Sequence, residues 1–225
     1  MKNLRSARSG QCACGKTKDP NGNCDGSHAN EGRNKYMKSI VSAIFIGLAL
    51  FSFQSFANTL DGDVKVKDAK IVWKGFKVTG AHEGLISLDS GTLIFNEDEL
   101  VGGNFVVDMQ SMTCTDLSGE YKSKLEGHLK SADFFGTDQY TESTLNITKV
   151  SKIDATSYQV KADLSIKGKT EKIEFITSLY GNKATSSMKI DRTKFGIEYG
   201  SGSIFKSLGD KMIYDEFELI IDLNF

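Results

Sequence analysis

Proline is nearly absent. The 225-residue chain has one, Pro20, and none in the 168 residues beyond position 57. Turns in that long stretch must come from Gly, Asn, Asp and Ser, which is hairpin chemistry. Cysteine is as thin: of four, only Cys114 lies beyond residue 57, so no intramolecular disulfide can form there. A lone cysteine of this kind reads as a buried thiol before it reads as a reactive one. Histidine is scarce too, with His82 and His128 the two beyond residue 57. No HExxH spacing joins them; metal ligation or acid–base work stands against structural roles for each. Gly80–Gly84 and Gly196–Gly202 lack the lysine and the strand-to-helix context of a phosphate loop. Ser201, between Gly200 and Gly202, lacks the full nucleophile-elbow pattern. The scarcity of catalytic groups points to a protein that is not an enzyme.

Positive charge is also in deficit where most of the chain lies. Residues 58–225 carry 20 Lys/Arg against 26 Asp/Glu, while residues 1–57 carry 8 against 3. An acidic body excludes nucleic-acid binding by phosphate neutralisation. At 39% hydrophobic and 25% charged, the composition is globular and excludes a disordered or collagen-like chain.

What is there begins with a hydrophobic run. Ser39–Ala57 holds nineteen residues without a charge, preceded by Arg33, Lys35 and Lys38 and ended by Ser55-Phe56-Ala57. Met37-Lys38-Ser39 in front and small residues at the two peptidase positions read as a secretory signal. At about 1.5 Å per residue the run also just spans a bilayer, so a retained anchor is the second reading. A buried core helix is the third and poorest, because the run is apolar all round. The first two readings place everything after Ala57 outside the cytoplasm: exported and periplasmic, or anchored in the inner membrane with the rest in the periplasm. Three segments follow, 1–36, 37–57 and 58–225, with Met1 and Met37 both candidate starts.

Segment 1–36 carries Cys12-Ala-Cys14-Gly-Lys-Thr17 and Cys24-Asp-Gly-Ser-His28. Three thiols and an imidazole at this spacing form a metal-ligand set, and soft thiolates suit zinc or iron–sulfur clusters. The string resembles the CDGSH iron–sulfur motif, which implies a [2Fe–2S] cluster in residues 12–28 held by Cys12, Cys14, Cys24 and His28. It departs from that motif in a Cys14–Cys24 gap one residue too long and in the place of Pro20.

Segment 58–225 alternates with period two. Val160, Ala162, Leu164 and Ile166 share one face; so do Ile173, Phe175 and Leu179, and so do Phe217, Leu219, Ile221, Leu223 and Phe225. Ile71–Val78 and Leu100–Met109 read as strands, and Leu85–Leu88 and Thr92–Phe95 flank Asp89-Ser90-Gly91 as a hairpin loop. Turns are expected at Gly168-Lys169, at Gly181-Asn182 and in Glu97-Asp98-Glu99. Between 115 and 140 the alternation fails, and Leu117, Tyr121, Leu125 and Leu129 take helical spacing. Eight or nine strands with one or two helices make an all-β domain, barrel or sandwich.

Four segments together sharpen this. Gly80-Ala-His82-Glu-Gly84, Gly127-His128-Leu-Lys-Ser-Ala-Asp133-Phe134-Phe135, Asp163–Thr170, and Asp191-Arg192-Thr193-Lys-Phe195-Gly196 with Leu208-Gly209-Asp210 resemble the YceI-like family over roughly residues 60–225. The resemblance implies an extended eight-stranded antiparallel lipocalin-like β-barrel with a short helical insert. It implies a polyisoprenoid lipid, an isoprenoid quinone or a prenyl pyrophosphate, drawn from a membrane and held in the barrel for storage, transport or sensing. Trp73, Phe105, Phe175, Phe217 and Leu219 would line the cavity, and Phe134-Phe135 would close part of it or anchor the insert. His82, His128 and Arg192 would stand at the mouth, Arg192 facing a phosphate or fixed instead in a structural salt bridge. Monomer and homodimer both remain open. A second reading joins the cluster and the barrel in a membrane-anchored redox protein that handles quinone.

Overall fold

The computed structural model describes residues 59–225. The Cys12, Cys14, Cys24, His28 string and the Ser39–Ala57 run lie outside the described residues. Among the described residues no helix is long and apolar enough to cross a membrane.

Strands follow the alternating segments: β1 Gly62–Lys65, β2 Asp68–Lys77, β3 Gly80–Asn96, β4 Glu99–Cys114, β5 Glu142–Lys152, β6 Ser157–Ile166, β7 Lys169–Tyr180, β8 Lys183–Asp191 and β9 Ile213–Asn224, with helix α1 at Gly119–Lys130. Every pairing between these strands is antiparallel. The order across the sheet is β1-β3-β2-β9-β8-β7-β6-β5-β4, and β3 also pairs with β4. That last pairing closes β2–β9 into an eight-stranded barrel. β1 lies against Thr92–Phe95 of β3, on the side that β2 covers further along at Gly80–Ile86.

The turns are built as the missing prolines demand. Between β3 and β4 both Glu97 and Asp98 take left-handed backbone, φ 50° and 67°, and between β6 and β7 Lys167 and Gly168 take φ 50° and 74°. Two consecutive left-handed residues make the turn whose twist matches a hairpin.

Two expectations are corrected. Asp89-Ser90-Gly91 is not a hairpin loop: β3 runs unbroken from Gly80 to Asn96. Its pairing with β4 slips between Leu88 and Ser90, the mark of a bulge. Turn-type residues appear because the strand bends there and a neighbour presses close: a Cβ on Gly91 would stand 2.9 Å from the Phe105 ring. The helical stripe is also narrower than its spacing suggests. Leu129 is buried and Leu125 half-buried, but Tyr121 is 76% exposed. Polar contacts make up the difference. Glu126 of α1 accepts hydrogen bonds from Thr113 Oγ1 and Cys114 N, both at 2.7 Å, and so fixes the helix to the end of β4.

The two ends of the barrel differ. At the end with the β3–β4, β5–β6 and β7–β8 turns, Leu93, Phe95, Leu100, Tyr158, Val160, Leu223 and Phe225 form a buried plug. The Phe95 and Phe225 rings are 5.5 Å apart within it. The other end receives α1 and the 192–212 loop, and its core holds Leu129, Phe134, Phe135, Phe195 and Ile197. One end is a floor and the other a partly roofed mouth.

Candidate ligand cavity

Alternation decides which side chains meet inside. On β9 the inward set is Phe217, Leu219, Ile221 and Leu223, while Ile220 points out. Phe105 and Val107 of β4, Leu145 and Ile147 of β5, Phe175 of β7 and Met188 of β8 join them around a cavity of about 550 Å³. That volume lies within the roughly 300–1,000 Å³ of ordinary ligand sites. Phe105, Phe175, Phe217 and Leu219 point inward yet stay half-buried. Their uncovered surface is the cavity wall itself, so the barrel encloses apolar surface that its own side chains do not fill.

Polar groups deep in the barrel satisfy one another. Thr177 Oγ1 and Ser186 Oγ are 2.7 Å apart, and Ser143 Oγ donates to the Ser165 carbonyl at 2.7 Å. Ionisable groups line the cavity only toward the mouth, as Lys77, His82, His128, Arg192, Asp210, Lys211 and Glu216.

Each candidate polar residue at the mouth has a partner. His82 Nδ1 lies 2.8 Å from Asp116 Oδ2, and Asp116 Oδ1 accepts from the Cys114 thiol at 3.0 Å. Burial pushes Asp116 up, but the hydrogen bonds from Cys114, His82 and the Glu83 N–H outweigh it and hold the carboxyl at about 2. Burial, with the hydrogen bond to Asp116, raises the Cys114 thiol, which favours the unreactive protonated form. His128 lies edge-on between two rings, 4.5 Å from Tyr199 and 5.4 Å from Phe134. Burial there lowers its pKa against the opposing pull of Asp133, so the ring is neutral at neutral pH. From His128 an aromatic row continues through Phe134 and Phe135 to Phe217. This row ties the insert to the barrel wall.

Arg192 is fixed rather than free. Its side chain is 2% exposed. Nε donates to the Tyr214 carbonyl, Nη1 to Ile197 and Nη2 to Ile213, at 3.1, 2.7 and 3.1 Å. The Asp215 carboxylate stands 3.6 Å from Nη2, and the Phe134 ring caps the guanidinium at 5.4 Å. Asp215 in turn accepts from Ser203, whose hydroxyl pairs with buried Ser201. Ser201 is therefore part of a loop anchor. Among the described residues no group of three or more His, Cys, Asp or Glu is placed to hold a metal ion.

The ten candidates Trp73, His82, Phe105, His128, Phe134, Phe135, Phe175, Arg192, Phe217 and Leu219 all stand on this one wall. Residues 51–225 match the family model of the YceI-like domain. The chain belongs to the YceI-like family. Among solved structures, this YceI-like chain is similar to Burkholderia cenocepacia BcnA, at 20% identity and TM-score 0.54, over 69% of this chain and 94% of that one. It is also similar to a polyisoprenoid binding domain from Saccharophagus degradans, at 14% identity and TM-score 0.52, over 73% of this chain and 97% of that one. At these identities the likeness is one of fold. No curated protein matches the chain.

The YceI-like cavity also uses residues that the sequence did not single out. Tyr199, Lys211, Tyr214 and Glu216 reach its mouth, and Asp116 and Asp215 hold His82 and Arg192. Asp116, Tyr199 and Lys211 sit in loop segments, where no period marks a side chain as inward. Tyr214, Asp215 and Glu216 lie at the start of β9: Asp215 shares the parity of Phe217, while Tyr214 and Glu216 fall outside the inward set of that strand.

Proposed function

We propose that the barrel is a non-catalytic binding protein for a long polyisoprenoid lipid, working in the periplasm to store, carry or sense it. The observation that carries this is the cavity: mostly apolar along its depth, with its few deep hydroxyls hydrogen-bonded, plugged at the floor, and charged only at the mouth. A buried chain gains roughly 0.8 kcal/mol per carbon, about 4 kcal/mol per five-carbon unit, relative to water. A membrane offers the lipid the same gain, so exchange between membrane and barrel is close to neutral and the protein can both load and release. The structural neighbour from Saccharophagus degradans, a polyisoprenoid binding domain, supports the same ligand class.

The charges at the mouth favour a neutral head such as a quinone over a pyrophosphate. Arg192, the natural phosphate fork, spends three donors on backbone carbonyls and faces Asp215. Lys77 and Lys211 are matched in number by Asp210 and Glu216, and His128 is neutral at neutral pH. Native mass spectrometry of the protein recovered from a periplasm without detergent tests this. A bound mass lost on organic extraction, displaced by a long-chain isoprenoid quinone more readily than by a prenyl pyrophosphate, is expected. A bare polypeptide that takes up neither refutes the binding role, and preference for the pyrophosphate refutes the assignment of the head.

The redox-linked reading rests on Cys12, Cys14, Cys24 and His28 alone. It requires iron and a visible absorption band in protein made under reducing conditions from Met1, both lost on Cys24→Ser. Colourless, iron-free protein ends it.

A further inference from the structure

The geometry points to the loop over the mouth as a bilayer-docking surface that lets the cavity load directly from membrane lipid; this rests on the lipid-binding reading above. Twelve large apolar or aromatic side chains are exposed among the described residues, and six lie at the mouth end: Val78, Tyr121, Tyr199, Ile204, Phe205 and Tyr214. Single exposed apolar residues are ordinary, but a grouping around one opening is not. Five of these six are in segments tied by the backbone. Val78 N donates to the Met212 carbonyl, Phe205 N to Ser201 and Ile213 N to Gly200.

The loop is built to hold its tip outward. Ser201 is fully buried and pairs with Ser203, which donates to Asp215 beside Arg192. That anchor leaves Ile204 and Phe205, the next two residues, 43% and 47% exposed instead of folded into the apolar cavity nearby. A soluble ligand would need no such tip. A ligand that lives in a bilayer needs the opening brought to the apolar phase, and the cavity wall is continuous with this rim through Tyr199 and Tyr214.

Charge is secondary to apolar insertion at this rim. The body carries 20 Lys/Arg against 26 Asp/Glu, so an anionic surface repels it as a whole. Around the mouth Lys77, Lys206 and Lys211 are exposed, at the level where headgroups would meet an inserted tip. Tyrosines at the rim suit the interface, where one end of the ring is apolar and the other wet. Apolar insertion dominates because Asp210 and Glu216 offset part of the lysine charge.

Two readouts test this on the full chain, each as a difference between variant and wild type. In the first, vesicles of phosphatidylcholine, with and without phosphatidylglycerol, carry spin-labelled lipid, and tryptophan emission of Phe205→Trp is compared with that of the wild type, which has Trp73 alone. Extra quenching in Phe205→Trp, already present with phosphatidylcholine alone, is expected; no extra quenching overturns the inference. In the second, uptake of a long-chain isoprenoid quinone is followed from vesicles and from an ethanol dispersion. The paired change Ile204→Glu and Phe205→Glu should slow uptake from vesicles by about tenfold or more, since it removes two inserting groups and adds two like charges at the headgroup layer, and leave uptake from ethanol unchanged. Val78→Glu, in a separate turn of the same rim, should act in the same direction. Equal vesicle uptake by variant and wild type overturns the inference, as does equal slowing from both sources. Quenching with no quinone uptake by the wild type would leave the docking surface standing and refute the ligand instead.

Discussion

Replacing Arg192 by methionine should cost the fold, and it should do so through the groups left behind. Methionine keeps an unbranched stem under the Phe134 ring but removes every donor. The carbonyls of Tyr214, Ile197 and Ile213 lose their partner, and Asp215 keeps its charge with no cation beside it. Breaking a buried ion pair by removing one member costs about 3–5 kcal/mol, a large part of the roughly 5–15 kcal/mol that holds a domain together. For a domain of this size that is a fall in Tm of about 6–20 °C. Urea unfolding followed by circular dichroism measures it. Adding Asp215→Asn to Arg192→Met should return about 1 kcal/mol or more, because the uncompensated charge is then gone.

The pH dependence has a definite sign. In the wild type, burial pushes Asp215 up, but the Ser201–Ser203 hydroxyls and Arg192 together hold it below the usual carboxylate value of 3.8. A carboxyl depressed in the fold adds stability above its unfolded pKa and loses it as pH falls through the folded one. The acid loss should therefore be shallower in Arg192→Met, where the nearby cation no longer depresses Asp215. A cost under about 1 kcal/mol with no coupling to Asp215 would refute the structural assignment, and would return Arg192 to the list of groups free to meet an anionic head.

Phe217→Arg places a guanidinium on the cavity wall, from which it can snorkel to the mouth. Bound lipid should disappear from native mass spectra while the far-ultraviolet spectrum stays that of the wild type; retained lipid would show that this ring does not contact ligand. His128 should titrate below its ordinary 6.5 in an NMR experiment, because burial against Phe134 and Tyr199 disfavours the charged ring. The unfolded chain then binds more protons, so stability is full above about 6.5 and declines on acidification below it; His128→Phe should flatten that slope, and an unchanged slope would contradict the burial argument. Gly84→Ala should lower stability by about 3 kcal/mol, seen as a drop in Tm. Its new methyl would fall 1.9 Å from the Thr113 carbonyl oxygen and 2.5 Å from the Trp73 ring, and a melt within a degree or two of the wild type would refute that close packing.

Much of the barrel can be read from the chain because a two-residue period carries its own geometry. Once Phe217 is placed inside, Leu219, Ile221 and Leu223 must follow, and the hairpins pass the phase from strand to strand. The wall positions of Trp73, Phe105 and Phe175 descend from the same phase. Asp89-Ser90-Gly91 defeated it, since a bulge and a turn use the same residues and differ only in whether the partner strand continues alongside. Arg192 was ambiguous for a related reason. Its three acceptors and Asp215 come from residues 197–215, and nothing local announces that the guanidinium turns toward them. Tyr199 and Lys211 were invisible because the loop that carries them has no period at all. The segments before residue 58 are a separate matter: their readings rest on composition and motif alone.

The plugged floor has a kinetic meaning. A cavity open at both ends could thread a long chain through and join a donor at one end to an acceptor at the other. With Phe95, Tyr158 and Phe225 packed across the far end, a lipid tail bound as proposed would go in first and come out last, by the same doorway. Donor and acceptor membranes would then take turns at one rim, and the proposed carrier would act as a shuttle that visits each in sequence and not as a conduit between them. Its throughput would be set by how often it lets go.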